Sequence, residues 1–138
     1  MDNPSFILGK EVKEYMVDDM QVFDFNKIEG MNQKAIIYIH GGSYIHHGVS
    51  FHFKMLKNIS SKTNSRIIFP VYTLAPKYTY MDSYPKLLEF YKQLLKEYDS
   101  KDIIIMGDSV GGGLALGFSM YLRDNKIDVP NKLILLSP

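Results

Sequence analysis

From residue 35 onward, short runs rich in β-branched residues alternate with longer segments in which apolar residues recur at helical spacing. Residues 35–40 (AIIYIH), 66–71 (RIIFPV), 102–106 (DIIIM) and 133–136 (LILL) read as strands. Each is a continuous apolar run and not an alternating one. That predicts burial on both faces, as in a parallel sheet covered by helices. Pro70 lacks an N–H for the ladder and is expected to end it or bulge it.

Three segments between these runs carry a helical period. Residues 50–61 place Phe53, Leu56 and Ile59 on one face, with Ser50 available as an N-cap. In residues 83–98, Leu87, Tyr91, Leu94, Leu95 and Tyr98 form one stripe, which reads as core packing and not as a binding box. Residues 110–123 are rich in Gly, Ala and Leu and predict a buried central helix lying close to the sheet. Residues 11–25 show no clean period and predict one or two antiparallel edge strands. Residues 124–131, containing Pro130, read as a helix-to-strand loop.

With 138 residues, 46% of them apolar, the chain can bury one core, so residues 1–138 are expected to form a single domain or part of one. Sixteen Lys and Arg against fifteen Asp and Glu give a net charge of +1, which provides no global field for nucleic acid or an acidic membrane. The absence of cysteine excludes disulfides, thiolate metal sites and a cysteine nucleophile. Residues 1–15 hold no signal-like apolar run, and no apolar stretch approaches the roughly 18 residues needed to span a bilayer. A cytoplasmic protein without membrane insertion is expected. The four histidines, His40, His46, His47 and His52, fall in one short stretch.

Gly107-Asp108-Ser109-Val110-Gly111 follows a strand and opens a helix, the context that gives a G-x-S-x-G match its meaning. A serine forced into a sharp strand-to-helix turn crowds the positions two before and two after it, so glycine is required at Gly107 and Gly111. Its hydroxyl then stands above the carboxyl ends of the strands, beside a helix N-terminus suited to an oxyanion. Two plainer readings compete. A phosphate cradle would need G-x-G-x-x-G or Gly-Lys-Ser/Thr, and neither fits from Gly107 onward. Glycines serving helix packing alone leave the central serine unexplained. A second motif, His40-Gly41-Gly42-Ser43, ends the first parallel strand. By itself it would pass for a turn.

Together with Tyr72-Thr73-Leu74-Ala75-Pro76-Lys77 and Gly107-Asp108-Ser109-Val110-Gly111-Gly112, this motif makes the chain resemble the hormone-sensitive-lipase-like esterases of the α/β-hydrolase superfamily from residue 35 to the end. That family shows H-G-G-G, Y-R-L-A-P-E and G-D-S-A-G-G in the same order. The resemblance implies an α/β-hydrolase-type, mostly parallel sheet with helices on both faces, and Ser109 as nucleophile. It also implies an oxyanion hole from the N–H groups of Gly42, Ser43 and Val110, with Gly41 shaping the loop. His40 becomes a structural loop residue. Ser43 and Val110 replace the family's glycine and alanine, and a backbone donor works with either side chain.

The expected reaction is acyl transfer on a small-molecule ester, with no metal and no cofactor, and the near-zero net charge argues against a nucleic-acid partner; a homo-oligomer is compatible with this reading. The triad order is serine, acid, histidine. No histidine follows Ser109, and the acids after it, Asp124 and Asp128, flank the loop before the last strand. The chain is therefore expected to be an incomplete domain, ending after the strand that follows the nucleophile helix, and inactive or nearly so alone. Two alternatives stay open: a base drawn from His40, His46 or His47, and a non-catalytic hydrolase fold that binds a ligand or partner. Tyr44, His46, His47, Tyr78 and Tyr80 are expected near the mouth.

Overall fold

The structure, a computed structural model, describes residues 4–9, 11–30, 32–41, 48–71 and 80–136. In chain order these form α1 (Ser5–Leu8), β1 (Lys13–Val17), β2 (Met20–Phe25), β3 (Ala35–Ile39), α2 (Gly48–Thr63), β4 (Arg66–Val71), α3 (Tyr80–Leu94), β5 (Ile103–Asp108), α4 (Val110–Asp124) and β6 (Lys132–Leu136). One six-stranded sheet runs in the order β1-β2-β4-β3-β5-β6. β4, β3, β5 and β6 are parallel. β1 and β2 form an antiparallel hairpin on the β4 side. The expected α/β fold with a mostly parallel sheet is the one observed.

The strand period of two sorts the apolar runs between two helical layers. Ala35, Ile37 and Ile39 of β3, with Ile103 and Ile105 of β5, pack with Leu87, Tyr91 and Leu94 of α3 and Leu114, Phe118 and Leu122 of α4. Ile36 and Tyr38, with Ile67 and Phe69 of β4, face Phe53 and Leu56 of α2 on the other side. Most of these side chains are fully buried, and each of them larger than Ala35 contributes roughly 1.5–3 kcal/mol by leaving water.

β3 and β5 are neighbours, paired from Ala35↔Ile103 to Ile39↔Gly107. After β3 the chain passes to α2 on one face; after β5 it passes to α4 on the other. This divergence makes the carboxyl ends of β3 and β5 the topological switch point, the place where open α/β sheets bind ligands.

At the opposite end of the sheet, the buried Arg66 guanidinium grips Asp24 with two hydrogen bonds, Nε to Oδ1 at 2.9 Å and Nη2 to Oδ2 at 2.6 Å. Nη1 donates to Glu97 at 2.7 Å, and the Tyr15 hydroxyl donates to Asp24 at 3.0 Å. This cluster ties β4, β2, β1 and the segment after α3 together.

Several local expectations are corrected. Residues 11–25 form two strands of which only β1 is an edge, because β2 pairs with both β1 and β4. The parallel ladder to β3 does end at Ile68, before Pro70, yet the antiparallel ladder continues through Val22↔Pro70. Ser50 and Ser83 lie inside α2 and α3 and not at their starts, and α3 ends at Leu94, with Tyr98 beyond it. β6 is not buried on both faces: its residues alternate between exposed and half-buried. α4 buries Leu114, Ala115, Phe118 and Leu122 but exposes Val110, Leu116 and Met120, so it covers the sheet with one face only.

Candidate active site

β5 delivers Gly107 and Asp108 to this switch point, and the chain turns at Ser109 into α4. Ser109 has φ 52° and ψ −123°, a conformation that costs a residue with a Cβ about 1–3 kcal/mol. Three hydrogen bonds hold it there. Its N–H donates to the Leu136 carbonyl of β6 at 2.9 Å, and its carbonyl accepts from Gly112 at 3.0 Å and Gly113 at 3.3 Å. Ser109 is exposed.

The glycines make the turn possible by close approach. A Cβ on Gly107 would lie 2.5 Å from the Gly111 carbonyl oxygen, and one on Gly111 would overlap the Ile39 carbonyl oxygen. A Cβ on Gly41 would sit 2.9 Å from the Asp108 carbonyl oxygen and 3.2 Å from Ser109 Cβ. The end of β3 and the turn after β5 therefore touch backbone to backbone. Only glycine permits it.

Asp108 joins these segments through its side chain. Oδ1 accepts the Tyr38 hydroxyl at 2.7 Å and the Gly41 N–H at 3.0 Å, while Oδ2 lies 3.1 Å from His52 Nε2. Partial burial alone would raise the Asp108 carboxyl, but the donors Tyr38, His52 and Gly41 outweigh it and hold the carboxyl below the usual aspartate range. His40 is buried and stacks on Phe69 with ring centroids 5.4 Å apart, and its Nδ1 lies 3.3 Å from the Gly41 carbonyl. Burial holds its imidazole below the ordinary histidine range.

Val110 opens α4, so its N–H has no carbonyl within the helix to meet. Asp124 ends the same helix, roughly 20 Å from Ser109 at 1.5 Å per residue. Asp128 gives its backbone carbonyl to the Tyr91 hydroxyl at 2.6 Å, on the core side of α3. Neither acid reaches the turn. Gly42, Ser43, Tyr44, His46, His47, the stretch 72–77 and Tyr78 lie outside the described residues, as does the side chain of Tyr80. Among the described residues no cluster of His, Asp or Glu could hold a metal ion, and no helix is long and apolar enough to cross a membrane.

Tyr38 and His52 escaped the reading of the sequence as site residues. The histidine-rich stretch was visible, but the 55 positions between His52 and Asp108 hide their pairing until α2 packs on the sheet.

A family model described as alpha/beta hydrolase fold matches residues 36–138. An esterase of Acinetobacter venetianus is 34% identical over 113 residues, covering 81% of this chain and 37% of that protein. Among solved structures, an esterase from the bacterial hormone-sensitive lipase family superposes with a TM-score of 0.77 at 26% identity, covering 94% of this chain and 44% of that one. The esterase EstE5, in crystals soaked with p-nitrophenyl butyrate, gives a TM-score of 0.75 at 27% identity, covering 90% and 42%. The chain thus spans less than half the length of these relatives.

Proposed function

The chain belongs to the α/β-hydrolase fold family, with esterases and lipases as its relatives, and from that premise we propose that the whole protein cleaves a small carboxylic ester by acyl transfer through Ser109. The observation that carries this reading is the exposed Ser109 at φ 52°, at the mouth of α4 and against Gly41. A hydroxyl held there is open to a substrate carbonyl at the switch point. The Val110 N–H, left free by the start of the helix, is positioned to receive the negative charge that develops on the carbonyl oxygen, aided by the positive end of α4. The resemblance adds the N–H groups of Gly42 and Ser43 as further donors. Asp108 and the glycines at 41, 107 and 111 build the turn and do not touch the ester.

In the reaction Ser109 Oγ bonds to the acyl carbon, its proton passes to a general base, and the alcohol leaves; water then releases the acid. A fluorophosphonate probe tests the assignment on the whole protein. Labelling that Ser109→Ala abolishes, together with hydrolysis of p-nitrophenyl butyrate, is the expected result. Labelling that persists in Ser109→Ala, or fails in the whole protein, would sink it.

A further inference from the structure

We propose that His52, a helix residue outside the nucleophile turn, is a positioning residue that acts through Asp108 to hold the Gly41 turn against Ser109 and thereby sets the reactivity of that serine. The proposal rests on the reading of Ser109 as nucleophile and deepens it.

The argument begins with how the Asp108 carboxylate is shared. Its Oδ1 takes two donors from the β3 side, the Tyr38 hydroxyl at 2.7 Å and the Gly41 N–H at 3.0 Å. Two donors on one oxygen fix its position but leave the carboxylate plane free to swing about them. The third contact, His52 Nε2 to Oδ2 at 3.1 Å, comes from α2 and stops that swing. Because the peptide unit is planar, a fixed Gly41 N–H also fixes the His40 carbonyl and the direction in which the chain leaves β3. A Cβ on Gly41 would lie 3.1 Å from Asp108 Oδ2 and 3.2 Å from Ser109 Cβ, so Gly41 sits close against both the carboxylate and the serine, and a shift of Gly41 is felt at Ser109.

His52 is shaped for this one task. Its side chain is 11% exposed and its ring lies 5.4 Å from that of Tyr38. Nδ1 is buried and makes no hydrogen bond with the described residues. A proton on Nδ1 would therefore be left unsatisfied, whereas the Nε2–H tautomer donates to Asp108 and leaves only a bare acceptor, the cheaper of the two arrangements. The ring thus offers a single donor, aimed at a single oxygen.

Three variants separate donor from bulk. His52→Phe keeps the ring and removes the donor, His52→Gln keeps a donor at similar reach, and His52→Ala removes both. In the folded chain, hydrogen exchange of the Gly41 amide followed by NMR should quicken about tenfold or more in His52→Phe and return toward wild type in His52→Gln. In the whole protein, kcat for p-nitrophenyl butyrate and the rate of Ser109 phosphonylation should fall about tenfold or more in His52→Phe, with KM little changed, and recover in His52→Gln. Wild-type exchange at Gly41 in His52→Phe would overturn the proposal, as would unaltered kcat beside a loosened Gly41. Should wild type fail to label at Ser109, the nucleophile reading fails. The exchange experiment then still decides whether His52 holds the turn. Thermal melts of all three variants identify any that does not fold, and the ring-sized His52→Phe is chosen to keep the core filled.

Discussion

The α-carbon of Gly111 faces the carbonyl oxygen of Ile39 so closely that no methyl group fits between them. The first turn of α4 therefore rests directly on the end of β3, and replacing Gly111 with alanine must push the two apart. Gly111→Ala is expected to lose about 3 kcal/mol or more, since neither backbone can yield without unseating the turn at Ser109. Gly113, two residues on, has open space where a Cβ would stand. Gly113→Ala should instead gain roughly 0.5–1 kcal/mol from helix propensity. Urea unfolding of the two variants checks both, and a similar loss in each would show that the close approach is not what governs them.

Ser109 occupies a positive-φ conformation that glycine adopts without penalty. Ser109→Gly is expected to raise stability by about 1 kcal/mol while abolishing probe labelling. A thermal melt beside a labelling gel reads both. Unchanged or lower stability would mean that the turn stores no strain.

Much of this was legible beforehand, and the boundary has physical causes. The apolar runs at 35–40 and 102–106 announced buried parallel strands because period-two burial on two faces leaves no polar position between. The turn at 107–111 was equally plain, since close backbone approach demands glycine at fixed offsets. What stayed hidden depends on partners distant in the chain. β6 carries the same apolar signature as β3, yet alternates in exposure, because burial depends on what lies against a strand. The grip of Arg66 on Asp24 joins positions 42 residues apart, and no local pattern marks an arginine whose strand neighbours are isoleucines.

That grip yields a further expectation. Arg66 and Asp24 are both buried, so removing one leaves the other charge uncompensated. Arg66→Ala should cost about 3–5 kcal/mol, while the double variant Arg66→Met with Asp24→Leu recovers most of the loss. Chemical denaturation of the set decides it. Additive losses in the double variant would deny that the two charges act as a pair.

Acid should act in part through two carboxylates. Donors hold Asp108 below its ordinary 3.8 against the opposing effect of burial, and the Arg66 hydrogen bond above all holds Glu97 below its ordinary 4.5. Through that range the unfolded chain binds more protons than the folded one, so stability is present in full at neutral pH and drains as pH falls below about 4.5 and then below 3.8. Asp108→Asn should be less stable at pH 7 and show a shallower decline at the acid end. Unfolding free energy measured from pH 7 to pH 3 tests it. A decline as steep as in wild type would exclude Asp108 as a source.

The N–H of Ser109 is bound by the carbonyl of Leu136, which makes the turn depend on a strand made 23 residues later. During synthesis the serine leaves the ribosome well before the group that fixes its amide. The turn can take its final shape only when the growing sheet gains that strand, so a correctly bent Ser109 records that the sheet around it has been assembled.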